Sequence, residues 1–171
     1  SRFATGKARA AAQEKLIMQA LKEVTMHEVG HTLGLRHNFK ASRMLSLKDI
    51  NDPSKTKNGS VASVMDYAPT NIMPKKLKQG DYYTTTIGPY DYWAIEYGYK
   101  YLSGSTYADK SGLAKIASRS GEAALAFATD EDTGGFEPDP DSNRFDLGAD
   151  GVEYAKVQAQ LVKELVPGLI D

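Results

Sequence analysis

The chain of 171 residues contains no cysteine and only three histidines. The absence of cysteine excludes a disulfide framework, a thiolate zinc site and a cysteine nucleophile. The net charge of −1 is too small to attract nucleic acid, and we interpret the basic cluster at residues 75–78 as a solvated turn. No apolar run approaches the length of a membrane span. The length fits one domain that buries a sizeable core. From the charge and the apolar runs we expect no nucleic-acid partner and no membrane span.

All three histidines lie in one short stretch, His-Glu-Val-Gly-His-Thr-Leu-Gly-Leu-Arg-His, which runs from residue 27 to residue 37. On a helix, His27 and His31 lie one turn apart on the same face, whereas Glu28 is about 100° further round. Gly34 predicts a left-handed turn that ends the helix and brings His37 back as a third ligand. Three nitrogen ligands leave the fourth tetrahedral position for water, as in a catalytic zinc site.

The motif has to be weighed against coincidence, because a bare His-Glu-x-x-His occurs by chance in many chains. The extended form fixes five of eleven positions, which favours a functional metal site. Glu28 lies close to such a site without being a ligand. Every histidine is committed to the metal, so a covalent acyl-enzyme route is disfavoured.

The rest of the chain reads as mainly helical. A long helix is predicted over residues 7–33, and within it Gly30 is either a helix defect or a point of close backbone approach. Its apolar residues are expected to pack along one or two faces: Leu16, Met18, Leu21, Val24 and Val29. Further helices are predicted at 46–50, 89–97, 111–119 and 151–166. We interpret the apolar run at 123–129 as a short strand. We interpret the aromatic residues of 89–97 as core rather than as a cofactor-binding group.

Residues 130–141 combine acidic residues with glycine and proline, and this composition predicts a loop. The simplest interpretation is a solvated surface loop. A Ca²⁺ site is the alternative, because clustered carboxylates are the ligands that a hard cation needs. The spacing does not match that of an EF-hand loop.

A second signature follows the third histidine, at Ser63-Val64-Met65-Asp66-Tyr67, where a methionine lies in a turn-like segment. The extended zinc motif with a downstream Met turn resembles the metzincin clan of metallopeptidases. Together with residues 37–39 and 88–95, it looks most like the met-zincin domain of large bacterial zinc-dependent metalloproteases. The resemblance extends over about residues 15–155.

The resemblance implies a role for each matching residue. It makes His27, His31 and His37 the zinc ligands. It makes Glu28 the general base. It makes Gly34 the turn that frees the third ligand and Met65 the floor beneath the zinc, although Met65 can also be read as an ordinary core methionine. Tyr67 stands where some metzincins hold a tyrosine that swings between zinc and the substrate oxyanion; a buried tyrosine bonded to the backbone is the alternative. Asn38 departs from the residues that follow the third histidine in the best-known branches.

The resemblance also implies a fold, a metzincin-like α+β catalytic domain. The chain matches its active-site helix region, residues 1–34, and a mainly helical C-terminal subdomain, residues 35–171, with the Met turn at 63–67. Metzincins carry a twisted sheet before that helix, so we expect residues 1–171 to be one partial catalytic domain whose sheet lies upstream. An exposed apolar face should then pack on the upstream part of the same polypeptide. The sequence does not itself determine localisation, whereas the resemblance implies export to the periplasm, the outer surface or the medium.

The predicted function is that of a zinc-dependent endopeptidase that acts on a protein or peptide substrate with one catalytic Zn²⁺. A zinc-binding scaffold or binding domain of metzincin fold without turnover is the first alternative. Glu28 disfavours it, because a structural site needs no base and closes its fourth position with protein. A non-haem iron oxygenase is the second alternative, and it uses two histidines and a carboxylate, so the third histidine disfavours it. The sequence does not determine cleavage specificity.

Overall fold

The computed structural model of the chain describes residues 6–105 and 109–170, which form helices joined by long irregular segments. Within these residues the α-helices are α1 (Gly6–Thr32), α2 (Leu47–Ile50), α3 (Pro89–Tyr99), α4 (Lys110–Ala117), α5 (Gly151–Leu165) and α6 (Pro167–Ile170). Short 3₁₀ turns lie at Ala41–Arg43, Ser118–Gly121, Ala123–Leu125 and Asp130–Thr133. Helix accounts for 51% of the described residues, which contain no strand, and this confirms the mainly α prediction. None of the described helices combines the length and apolar character of a membrane span.

The long helix α1 contacts the rest of the protein along a narrow stripe. Of its residues, only Gln19, His27 and Gly30 are buried. The Gln19 amide accepts a hydrogen bond from the Tyr82 N–H (2.7 Å) and donates one to Asp81 (2.7 Å), so it ties the helix to the loop at 81–83. The expectation that the apolar residues pack inward is wrong for four of the five, because the helix exposes Met18, Leu21, Val24 and Val29.

The core lies around the segment 61–66, of which every residue is buried. One apolar cluster on this segment joins the first 3₁₀ turn to α3 and consists of Ala41, Ala62, Tyr90 and Leu125. A second cluster joins α2 to α5 and consists of Leu47, Ile50, Val61 and Leu147, with Tyr154 and Val157 of α5 packed against it. The segment that carries the predicted Met turn is therefore the centre of the domain, although it has no regular secondary structure.

Several predicted elements differ from those observed. Helix α3 continues through Gly98 to Tyr99, and Pro167 starts a further helical turn, since proline is tolerated in a first turn. The predicted strand at 123–129 is instead a 3₁₀ turn followed by backbone that bonds to the Phe39 N–H. The aromatics of 89–97 divide: Tyr90 is buried and Trp93 half-buried, whereas Tyr92 and Tyr97 are exposed. The core interpretation thus applies to only half of them.

Gly30 is a point of close packing. A Cβ atom built at this position would overlap the Sδ atom of Met65, which is 0% exposed and would have to shift within the core. Of the two alternatives for Gly30, close approach is therefore the one that the structure favours. The helix accepts the low propensity of glycine here because a larger residue would displace the methionine.

We therefore expect Gly30→Ala to lower the free energy of unfolding by about 1 to 3 kcal/mol, the usual cost of overpacking a core. Gly98→Ala in α3 is the matched control, because nothing lies within 4 Å of its added Cβ and alanine has the higher helix propensity. That variant should be neutral or more stable by up to about 1 kcal/mol. Chemical denaturation measures both, and equal effects at the two glycines would contradict the packing role.

Candidate metal centre

The site is built at the end of α1 and on the reversal that follows. His27 and His31 lie one turn apart on the helix, which ends at Thr32. Gly34 then adopts a φ of 81°, a conformation that a side chain makes costly. The Leu35 N–H donates back to the Gly30 carbonyl (3.0 Å) and closes the helix end. The chain thereby reverses direction and places the next histidine, His37, against the first two.

The structure brings the three histidines together. Their ring centroids are 4.7 Å apart for His27 and His31, 5.4 Å for His27 and His37, and 4.9 Å for His31 and His37. One potential ligand atom of each lies within 4.8 Å of the other two. A single metal ion can therefore contact all three.

The second nitrogen of each ring is held by the protein. The Nδ1 atoms of His27, His31 and His37 bond to the Val64 carbonyl (2.7 Å), the Leu35 carbonyl (3.0 Å) and the Asp130 carboxylate (2.9 Å). An oxygen at each Nδ1 requires the proton there, so the lone pair of each neutral ring is on Nε2. All three rings are thus fixed in the tautomer that binds a metal through Nε2.

The donor set fits zinc. The Nε2 atom of His37 is buried without a hydrogen-bond partner among the described residues, which is costly unless a metal takes its lone pair. Burial lowers the pKa of His27 and so favours the neutral form that ligates. Three imidazoles with no fourth protein ligand in the described histidine and carboxylate set match a catalytic zinc site.

Asp130 supports the third ligand. Its Oδ2 atom accepts the His37 bond, and its Oδ1 atom accepts a hydrogen bond from Arg144 (2.8 Å). The hydrogen bond from His37 lowers the pKa of Asp130, so the carboxyl is ionised at neutral pH. An ionised carboxylate at Nδ1 fixes the ring and makes Nε2 a stronger ligand.

The Ca²⁺ site considered for residues 130–141 is not supported. Besides Asp130, three of its six carboxylates pair with basic side chains, as Arg36–Glu131, Lys40–Asp139 and Arg43–Asp141. In the described part of the chain the histidines alone form a metal-ligating group. The described contacts of the loop are with the protein around the third ligand.

The segment 63–65 passes beneath the histidines. The Val64 carbonyl holds His27, and the Met65 carbonyl accepts the Asn38 N–H (3.0 Å), one residue after the third ligand. Asp91 in the first turn of α3 accepts hydrogen bonds from the Ser63 hydroxyl and the Val64 N–H (2.9 Å). The segment therefore positions ligands from two parts of the chain, and α3 holds it in place.

The histidines open into a cleft of about 410 Å³. Both predicted catalytic side chains, Glu28 and Tyr67, line it. The Tyr67 ring centroid lies 4.5 Å from that of His37 and 5.5 Å from that of His27. On its outer side Tyr67 stacks on Phe145 (5.9 Å), which is 65% exposed. Phe145 has a φ of 63°, a strained conformation for an aromatic residue that its neighbours must stabilise.

The sequence pattern does not identify the residues that hold the site together. It places Asp130 in an acidic loop and Asp91 in an aromatic helix, and it indicates no role for either in the site. Asn38 departs from the best-known branches of the clan, and its buried amide links the third ligand to the Ala126 carbonyl (3.0 Å). An acidic residue in the first turn of α3 was a usable signal for Asp91, but no local pattern predicts the partners of the other two.

The helix that carries two histidines, the reversal that adds a third, and the buried methionine turn below them define a metzincin-like zinc metallopeptidase domain. A family model described as Met-zincin matches residues 9–171. The chain belongs to the Met-zincin family. No curated protein and no solved structure matches it.

We expect Asp130→Asn to weaken zinc binding by about 10- to 100-fold, because the neutral amide no longer stabilises and orients His37. Competition with a chromogenic zinc chelator measures the affinity. Asp141→Asn is the matched control, since this acidic residue of the same loop pairs with Arg43 and touches no histidine. Equal zinc affinity in the two variants would show that Asp130 has no special role.

Proposed function

We propose that this domain is a zinc-dependent endopeptidase. The observation that carries the proposal is the convergence of three histidines, each fixed at Nδ1, on a cleft that also contains a free carboxylate. A structural zinc site would close its fourth position with a protein ligand. The described histidines and carboxylates include no such ligand, and this favours an open, catalytic site.

Glu28 is suited to the proton transfers of peptide hydrolysis. When bound, a zinc ion would polarise the peptide carbonyl and lower the pKa of a coordinated water toward about 7. Glu28 lies in the cleft, exposed, and makes no hydrogen bond or ion pair with any described residue. A free carboxylate in this position can accept the proton of the attacking water and deliver it to the leaving amine.

Tyr67 is suited to stabilise the oxyanion. Its ring is held between His37 and Phe145, while its hydroxyl makes no hydrogen bond within the described ranges. The alternative of a tyrosine that satisfies a backbone group therefore gains no support. A phenol beside the ligands, with its proton uncommitted, can donate to the negative charge that develops on the substrate oxygen.

We further propose that α1 packs on an upstream part of the same polypeptide. The helix and the residue that follows it expose a run of apolar side chains: Ile17, Met18, Leu21, Val24, Val29 and Leu33. Val24 also lines the cleft, so the element that covers this face would complete a wall of the substrate site. From the family we also propose that the substrate is a protein or peptide and that the protein is exported from the cell.

Glu28→Gln in the full-length protein should retain zinc and lower peptide hydrolysis by about 10²- to 10⁴-fold, because it removes the proton acceptor and leaves the ligands in place. Metal analysis and a chelator-sensitive peptide cleavage assay measure the two quantities. His37→Ala is the complementary variant and should lose zinc as well as activity. Unchanged turnover in zinc-loaded Glu28→Gln would exclude this mechanism, and a wild-type protein that binds zinc but cleaves nothing would indicate the scaffold alternative.

Tyr67→Phe should lower kcat by about 10²- to 10³-fold with little change in KM, because only the oxyanion donor is lost. Phe145 and the two adjacent histidines still contact the ring, so folding and zinc content should be unchanged. Tyr83→Phe is a matched control, since its hydroxyl bonds to Thr70 rather than facing the histidines. A kcat equal to that of the wild type would reduce Tyr67 to a packing residue.

A further inference from the structure

The carboxyl group of Glu23 lines the cleft and belongs neither to the ligand set, nor to the network that supports it, nor to the proposed proton transfers. Glu23 lies on α1 one turn before His27, and its side chain lines the same cleft as the histidines and Glu28. It is outside the described group whose ligand atoms lie within 4.8 Å of one another. Glu23 therefore lines the cleft and is not a fourth metal ligand.

Glu23 is half-buried and yet has no hydrogen bond or ion pair to any residue of the described ranges. Other carboxylates with restricted exposure have partners, among them Asp81 with Lys15, Asp91 with Val64, and Asp130 with His37. Burial, with no compensating donor, raises the pKa of Glu23 to about 7.

We propose that Glu23 is a specificity-determining residue that binds a cationic group of the peptide substrate. The complement of a carboxylate is an ammonium or guanidinium group that donates charged hydrogen bonds to it. One helical turn spans about 5.4 Å, and an extended peptide advances about 3.3 Å per residue. The cation therefore belongs to a residue within about two positions of the cleaved bond.

Two sources offer this cation, the side chain of lysine or arginine and a free amino terminus. A preference for the side chain makes the protein an endopeptidase selective for basic sequences, whereas a preference for the amino terminus confines cleavage to chain ends. The inference rests on the proposed peptidase function, because a substrate must occupy the cleft beside the histidines.

The test uses the zinc-loaded full-length protein and one peptide scaffold that carries lysine, arginine, norleucine or citrulline at each position within two residues of the cleaved bond. Each peptide is made with a free and with an acetylated amino terminus. The wild type should show a kcat/KM about 10- to 100-fold higher for the cationic member of a matched pair, the range expected for a charged hydrogen bond. In Glu23→Gln this ratio should fall toward one while the zinc content is unchanged.

Glu14→Gln is the matched control, because it makes the same charge change on an exposed position of α1 outside the cleft, and it should retain the wild-type ratio. A ratio near one in the wild type, or the same ratio in Glu23→Gln, would overturn the assignment. A Glu23→Gln protein that is less stable but equally selective would also overturn it, since Glu23 would then pair within the protein. A wild type that cleaves no peptide refutes the proposed function itself, whereas equal cleavage of cationic and neutral peptides refutes only the role of Glu23.

Discussion

The burial of residues 61–66 beneath α1 is the constraint on which the site depends. The Val64 carbonyl fixes one histidine of the helix, the Met65 carbonyl fixes the backbone just after the third ligand, and the Met65 side chain fills the space that Gly30 leaves. Such an irregular segment can be buried only if its polar groups find partners. Asp91 is one such partner, because it accepts hydrogen bonds from Ser63 and Val64. Burial raises the pKa of its carboxyl group.

The carboxylates of the chain divide by what they contact. Those with basic or backbone partners, such as Asp91 and Asp130, hold elements together and orient ligands. Two carboxylates that line the cleft, Glu23 and Glu28, have no hydrogen-bond or ion-pair partner among the described residues. A half-buried carboxylate without a donor, such as Glu23, is unfavourable unless a ligand uses it, whereas Glu28 is exposed.

The active-site helix is unusual in what it exposes. Its inward stripe consists of a glutamine, a histidine and a glycine, whereas its aliphatic side chains face outward. The long helix is thus held to the domain by polar contacts such as those of Gln19, and by the packing of Met65 on Gly30. An element that covers the outward face would bury the larger apolar area and also shape the cleft beside Glu23 and Val24.

The sequence alone determined the helix that carries His27 and His31, the turn at Gly34 and the presence of a methionine turn, because spacing, helical periodicity and glycine conformation are local properties. It could also predict a mainly helical chain. Only the tertiary structure decided that Asp130 holds His37, that Asp91 holds the Met turn and that the acidic loop is occupied by basic side chains. These contacts join residues about 30 to 100 positions apart, and no local pattern encodes which distant partner will satisfy a polar group once both are removed from water.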